Sequence, residues 1–209
     1  MSSSARPAPQ EPTPQSISGE DWEKLSPEAK IQWLARDDKW GWVIYRCSYA
    51  KEFDGAWDDL KRRIQQEMRE SITNKSDAPG IAETMDFVFV EDPALEGASV
   101  EELRCHFQAW ARNDNNNNNN NNRTTSFDMD DNTQGSRGSR YEFFLKVDGE
   151  GLWNGHVGLV RAWPDSPGSE DWMKVRASAV APALYVQLDD PEVWYVYYTP
   201  PERGVYDAW

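Results

Sequence analysis

The sequence predicts an α+β fold, a ferredoxin-like α/β sandwich with helices on one side of a mainly antiparallel sheet. Short runs such as WGWVIYRCSY, at residues 40–49, are rich in the aromatic and β-branched residues typical of strands. Other runs repeat apolar residues every three or four positions, as amphipathic helices do. The elements follow in the order β-α-β-α-β-β-α-β after a short leading helix, and without the second helix this is the ferredoxin-like order.

The chain of 209 residues fits one domain of usual size with a tail and a loop insertion. Residues 1–19 are rich in Pro, Ser and Gln, and we expect them to be disordered because they contain too little apolar surface to offset ordering. A single α+β domain is predicted over 20–209. Within it, low-complexity sequence with a poly-Asn tract, at about 113–139, predicts a flexible loop.

The first elements are the leading helix, a strand and a long helix. Ser26 is a good N-cap for the leading helix, and Pro27 fits its first turn. The first strand follows at 40–49, and the long helix is predicted over about 54–73. Apolar residues spaced three or four apart form the inner side of the long helix: Trp57, Leu60, Ile64, Met68 and Ile72.

Two further elements precede the Asn-rich tract. The run MDFVFVED, at 85–92, predicts a second strand with apolar side chains on both of its faces. The run SVEELRCHFQAW, at 99–110, predicts a helix whose Ser99 and Glu102 form a capping box.

The strand pattern returns after the tract. The runs at 141–147 and 156–163 predict two strands joined across a glycine-rich turn. The run WMKV, at 172–175, predicts a short extended segment, and the Ala-containing run at 177–188 predicts a helix. The run EVWYVYY, at 192–198, predicts the last strand, which two prolines close.

Charge and cysteine content narrow the classes of partner and compartment. The formal net charge is −14, and such a surface repels nucleic-acid phosphates and anionic membranes. We therefore expect neither a nucleic acid nor a membrane as partner. Two cysteines make no disulfide framework, and the N-terminus has no apolar run that would act as a signal peptide. These features predict a soluble cytoplasmic protein.

Few residues suggest catalysis or metal binding. Cys105 and His106 are adjacent on a predicted helix and point about 100° apart, without the spaced ligands that a metal site needs. A catalytic pair would require Cys47 and His106 to meet in space. We expect instead that both thiols are reduced and buried, and we predict no catalytic residue, no metal and no cofactor.

The aromatic residues are the unusual feature, since the chain has 11 Trp. In the first strand, alternation places Val43, Tyr45 and Cys47 on one side. The residues predicted to form a ligand-binding or interface surface on an aromatic-rich sheet face are Trp42, Ile44, Arg46, Trp194 and Tyr198.

Two functions fit these observations. The first is a non-catalytic binding or protein-interaction domain, with a protein or small molecule as partner and a possible homodimer through the sheet face. The alternative is an enzyme of unknown reaction with a sheet-lined pocket near Arg46, Tyr49 and His106. A third possibility is that other parts of the chain cover the sheet face. In that case Arg46 needs an acidic or carbonyl partner, because an unpaired buried charge is costly.

Several motifs occur in a specific order. They are WGWVIYRCSY at 40–49, LEGAS at 95–99, DWMKV at 171–175 and YTPPE at 198–202. The set resembles a large family of filamentous-fungal proteins for which no activity is established. The resemblance extends from about Trp40 to Glu202 and implies a fungal, cytosolic protein without an assigned catalytic residue. Family members often have a long acidic insertion before WMKV, whereas this segment is short here.

Overall fold

The computed structural model describes five stretches of the chain: residues 19–35, 39–75, 77–118, 138–166 and 169–207. The tail predicted to be disordered lies outside them except for Gly19, which begins a helix. Most of the predicted loop, 119–137, also lies outside them. The helices of the described residues are α1 (Gly19–Lys24), α2 (Pro27–Ala35), α3 (Asp54–Lys75), α4 (Ile81–Thr84), α5 (Val100–Asn118), α6 (Ser139–Glu142), α7 (Gly149–Asn154), α8 (Pro182–Gln187) and α9 (Pro191–Tyr197).

The strands form one mixed sheet. In chain order they are β1 (Val43–Arg46), β2 (Val88–Val90), β3 (Phe143–Val147), β4 (His156–Arg161), β5 (Trp172–Arg176) and β6 (Val205–Tyr206). Their order across the sheet is β2-β1-β3-β4-β5-β6. The first three neighbours are parallel, β4 is antiparallel to both β3 and β5, and β6 is parallel to β5.

This sheet confirms the α+β class but not the ferredoxin-like order. Three parallel neighbours at one end do not fit the mainly antiparallel sheet that was predicted. The segment WMKV, expected to be a short extended piece, is the full strand β5 and lies inside the sheet. The predicted turn between β3 and β4 contains the short helix α7.

The prediction of a last strand at 192–198 is wrong, because this segment forms α9. Asp190 caps the helix by accepting a hydrogen bond from the Glu192 N–H at 2.9 Å, and Pro191 occupies the first helical position. The apolar residues then follow helical spacing, so that the rings of Trp194 and Tyr198 are in contact, with their centroids 5.3 Å apart. Asp-Pro before an aromatic run was the signal for a helix.

The two predicted N-caps, Ser26 and Ser99, are confirmed. Ser26 accepts a hydrogen bond from the Ala29 N–H at 3.1 Å. The capping box at the start of α5 is complete, since Glu102 Oε2 accepts from the Ser99 N–H at 2.8 Å and Ser99 Oγ accepts from the Glu102 N–H at 3.2 Å. The helix predicted over 177–188 is shorter and begins at Pro182. The helix α5 continues to Asn118, beyond residue 113, where the flexible loop was predicted to begin. Extending a formed helix costs far less than nucleating one.

Each face of the sheet has its own apolar core. We call the first the α3 face, because α3 packs on it together with α2, α8 and α9. The second, the α5 face, is covered by α5 through Leu103, Phe107 and Ala111. Among the described residues, none of the helices combines the length and apolar composition that a membrane span requires.

A glycine permits the close approach of the chain before β1 to the chain before β2. Gly41 has a φ of 127°, and a Cβ there would lie 2.6 Å from the Asp86 carbonyl oxygen. The Asp86 N–H donates to the Trp40 carbonyl at 2.8 Å, and Arg140 Nη1 donates to the Asp86 carbonyl at 2.8 Å. A side chain at position 41 would therefore force apart several hydrogen-bonded groups.

We predict that Gly41→Ala lowers the free energy of unfolding by more than about 2 kcal/mol, because both the φ angle and the contact with Asp86 disfavour a Cβ. Urea denaturation monitored by Trp fluorescence measures the change. Gly55→Ala is the matched control: this helical position has open space around it, and the substitution should stabilise by up to about 1 kcal/mol. Equal effects of the two substitutions would contradict the prediction.

Candidate functional site

The two sides of β1 separate as predicted. Trp42 and Ile44 belong to the core of the α3 face, whereas Val43, Tyr45 and Cys47 belong to the core of the α5 face. Every residue of β1 is buried. The strand is therefore covered on both sides by parts of its own chain.

The five predicted interface residues lie on the α3 face, but they do not form an exposed surface. Trp42 and Ile44 are fully buried, and Trp194 packs against Phe143 with ring centroids 5.4 Å apart. Tyr198 is half-buried beside Trp194. The leading helix α2 and the C-terminal helices supply the cover.

Arg46 has the partners that an intramolecular role requires. Its Nε donates to the Ser48 carbonyl oxygen at 2.8 Å, and its Nη2 donates to Asp54 Oδ1 at 2.6 Å. The guanidinium carbon lies 4.6 Å from the centre of the Tyr49 ring. Arg46 thus joins the end of β1 to the first turn of α3.

The structure does not gather the residues of the alternative enzyme pocket. Arg46 and Tyr49 are in contact, but His106 is exposed on α5, which packs on the other face of the sheet. His106 also does not join Cys47 in a site, because Cys47 is buried in the core of the α5 face whereas His106 is exposed on α5. The described residues also contain no cluster of three His, Cys, Asp or Glu side chains that could hold a metal ion.

The two thiols differ, and the prediction that both are buried is wrong for Cys105. Cys47 is buried, and burial raises the pKa of its thiol to about 11. Cys105 is exposed, because it is two residues from both Leu103 and Phe107 and so points about 200° away from the inner side of α5. Neither thiol forms a disulfide.

A charged cluster that the sequence analysis missed lies on the α5 face at the ends of β3 and β4. Lys146 Nζ lies 3.1 Å from Asp148 Oδ2 and 4.2 Å from the centre of the Trp172 ring. Gly158 makes room for this lysine, since a Cβ there would lie 2.6 Å from Lys146 Cγ. The register between β3 and β4 could have indicated the cluster, because it places Lys146 directly opposite Gly158.

The charged cluster fixes the connection between β3 and β4. Burial alone would raise the pKa of Asp148, but the hydrogen bond from the Gly151 N–H, at 2.9 Å, and the nearby Lys146 hold the pKa below its usual value. Burial also lowers the pKa of His156 at the start of β4. The carboxylate of Asp148 caps α7, so we assign this cluster a structural role.

One accessible aromatic feature of the sheet is the edge at β2, which we call the β2 edge and define as Phe87–Val90. All four of its residues are half-buried. The Val88 N–H donates to the Trp42 carbonyl oxygen at 3.0 Å, so Val88 faces β1. Successive residues of a parallel strand direct their backbone groups to opposite sides. Phe87 and Phe89 therefore direct their N–H and C=O groups outward, where no described strand pairs with them.

A groove of about 600 Å³ runs between the β2 edge and α3. Phe89 forms the wall of this groove on the strand side, and its ring lies 6.0 Å from that of the buried Trp57. Lys61 Nζ, on the helix wall, is 2.7 Å from Glu91 Oε1. The groove is lined by Phe89 together with Asp58, Lys61, Arg62, Gln65, Arg69 and others on the same side of α3.

Comparisons with protein-family models, with curated proteins and with solved structures find no match for this chain.

We predict that Cys105 in the native protein reacts rapidly with a thiol reagent at pH 8, whereas Cys47 reacts at least about 100-fold more slowly. With a pKa of about 11, Cys47 is about 0.1% thiolate at this pH, and burial hinders access as well. Stopped-flow absorbance measures both rates. Cys105→Ser should remove the fast phase only, and both thiols of the wild type should react rapidly in guanidinium chloride. A fast phase that survives Cys105→Ser would contradict the burial of Cys47.

We predict that Arg46→Ala lowers the free energy of unfolding by about 2–3 kcal/mol, because it leaves the Ser48 carbonyl without its donor and removes packing on Tyr49. The ion pair with Asp54 adds little, since that carboxylate is exposed. Chemical denaturation measures the change. Arg63→Ala, an exposed position on α3, should change stability by less than about 0.5 kcal/mol. A similarly small effect of Arg46→Ala would show that this side chain is not a structural link.

Proposed function

We propose that this chain is a non-catalytic protein-interaction domain, and that its contact surface is the β2 edge with the adjoining groove. The observation that carries the proposal is an edge strand with four successive half-exposed apolar residues and outward backbone groups at Phe87 and Phe89. An extended segment of a partner can add to such an edge through main-chain hydrogen bonds. Its side chains would then enter the groove beside α3.

The sheet edge, rather than a sheet face, supports this proposal best. Both faces at β1 are filled by helices of the same chain. The opposite edge, β6, is only two residues long and follows Pro200, Pro201 and Gly204. Prolines near an edge strand hinder its pairing, whereas Phe87–Val90 contain neither proline nor lysine.

The state of the reactive side chains supports a non-catalytic role. Burial keeps Cys47 protonated, and the Arg46 guanidinium donates hydrogen bonds to the Ser48 carbonyl and to Asp54. Asp148 is used in a helix cap and an ion pair.

We further propose that the domain works in the cytoplasm of a filamentous fungus. The ordered motifs support the fungal source. The two free cysteines, one of them buried, suit a reducing compartment.

Selection from a displayed library of random peptides tests the proposal. We expect peptides selected on the wild-type chain to bind Phe87→Pro at least tenfold more weakly. Proline removes the outward N–H of Phe87 but leaves the bond from Val88 to β1. Val196→Ser, which alters an exposed apolar residue of α9, is the matched control and should bind the same peptides unchanged. Thermal melting of each variant confirms folding. Peptides that bind Phe87→Pro as tightly as wild type, or a selection that yields none, would overturn the proposal.

A further inference from the structure

We propose that His156 makes the connection between β3 and β4 sensitive to acid. This connection, residues 148–155, is closed while the imidazole is neutral, and it opens when His156 takes up a proton. The inference is independent of the proposed function, because it concerns a part of the sheet that does not include the β2 edge.

His156 is a buried base in which one ring nitrogen lacks a partner. Only 4% of the residue is exposed, and among the described residues no group forms a hydrogen bond with its Nδ1. Alternation along β4 directs the side chain to the α5 face, since Val160 belongs to the core of that face and Val157 to the core of the α3 face. A neutral imidazole has one N–H, whereas an imidazolium has two. Protonation would therefore bury a charge together with an N–H that has no acceptor, and both are costly.

Three basic side chains of the neighbouring strands lie on the same side of the sheet as His156. Lys146 on β3 and Lys174 on β5 flank the next position of β4 on that side. Arg176 is directly opposite His156 on β5 and is paired with Asp207 at 3.5 Å. Positive neighbours disfavour a further positive charge, so the two lysines act in the same direction as burial.

Two carboxylates of the connection also face the imidazole, but the flanking lysines already bind them. Asp148 Oδ2 is 3.1 Å from Lys146 Nζ, and Glu150 Oε1 is 2.6 Å from Lys174 Nζ. Burial, and after it the two lysines, lowers the pKa of His156, and the carboxylates offset only part of this effect. The closed connection therefore holds the neutral imidazole.

The same carboxylates link a proton on His156 to the state of the connection. Asp148 accepts a hydrogen bond from the Gly151 N–H at 2.9 Å and so caps α7, a helix of six residues. An imidazolium gains a partner only if Asp148 or Glu150 leaves its lysine, or if water reaches the ring. Each route disturbs the cap or the ion pairs that hold the connection closed. Opening a short segment costs less than unfolding the sheet, so the connection opens first.

The pH range of the effect follows from the proton affinities of the two states. In the open connection His156 is hydrated and has the ordinary imidazole pKa of about 6.5, whereas the closed connection disfavours the proton. The open state thus binds more protons below about pH 6.5, and opening becomes easier as the pH falls. Between about pH 7.5 and pH 5.5 the ratio of open to closed molecules should rise by up to about tenfold. Ordinary carboxylates, with pKa values of about 4, stay ionised in this range.

Hydrogen exchange of the full chain, followed by NMR at these two pH values, tests the inference. The amides of Leu152 and Gly155 report on the connection, because they donate to the carbonyl groups of Asp148 and Gly151. We expect their protection factors, corrected for the intrinsic exchange rate, to fall by roughly threefold to tenfold at the lower pH. The protection factor of Phe107, in α5, should change by less than about twofold, since the rest of the domain stays closed.

Two substitutions assign the effect to one side chain. His156→Gln removes the titrating group and should abolish the pH dependence of the connection. His106→Gln is the matched control: it removes the other histidine of the chain, which is exposed on α5, and should leave the pH dependence as in wild type. The one imidazole signal that remains in His106→Gln belongs to His156. Its titration midpoint should be lower in the native protein than in the protein unfolded in urea.

The outcomes decide the inference whether or not every variant folds. Protection of the connection that changes by less than about twofold between the two pH values overturns it. An equal fall for Phe107 also overturns it, because the whole domain would then be opening. If His156→Gln does not fold, the titration of His106→Gln decides, and a native midpoint at or above that of the unfolded chain contradicts the inference. None of these measurements involves the β2 edge, so their failure leaves the proposed function standing.

Discussion

The structure depends on the central strand β1, which is buried on both faces of the sheet. All of β1 is buried, and its neighbours on both sides are parallel to it. A strand in this position needs a layer of helices on each face of the sheet. Trp42 and Ile44 require the layer formed by α2, α3, α8 and α9, whereas Val43 and Tyr45 require α5. The alternation of apolar residues in four positions thus decides where most of the long helices pack.

The α3 face and the α5 face accommodate their buried basic side chains, Arg46 and Lys146, in different ways. On the α3 face, Arg46 reaches the edge of the layer, where a backbone carbonyl and the first turn of α3 accept its hydrogen bonds. On the α5 face, one helix does not cover the whole sheet. There Lys146 lies across Gly158 and against Trp172, so its aliphatic stem shields the sheet while its amine pairs with Asp148. The aliphatic part of Lys146 therefore covers a part of the sheet that α5 does not cover.

Features that depend on residues close in sequence were predicted correctly, whereas the strand order, which depends on contacts between distant segments, was not. The caps at Ser26 and at Ser99, the stripe of α3 and the two sides of β1 all depend on residues close in sequence, and each prediction was confirmed. Strand order depends on contacts between distant segments, so the parallel pairing of β1 with β3 had no local signal. The helix α9 was missed because β-branched and aromatic residues favour strands, although Asp190 and Pro191 marked a helix start. The predicted interface residues proved to share a face, but composition alone could not show that the chain covers that face itself.

Helices of the same chain cover both faces of the sheet at β1. The exposed backbone of an edge strand is therefore the part of the sheet that remains accessible to a partner. The β2 edge lies between two acids, and each is neutralised by basic side chains. Arg140 Nη2 is 2.8 Å from the Asp86 carboxylate, and Lys39 Nζ is 3.2 Å from it. At the other end, the hydrogen bond from Lys61 lowers the pKa of Glu91 and keeps it ionised and paired. A strongly acidic chain therefore presents little unpaired negative charge beside its open strand. This local neutrality removes the charge repulsion that often keeps exposed strand edges apart.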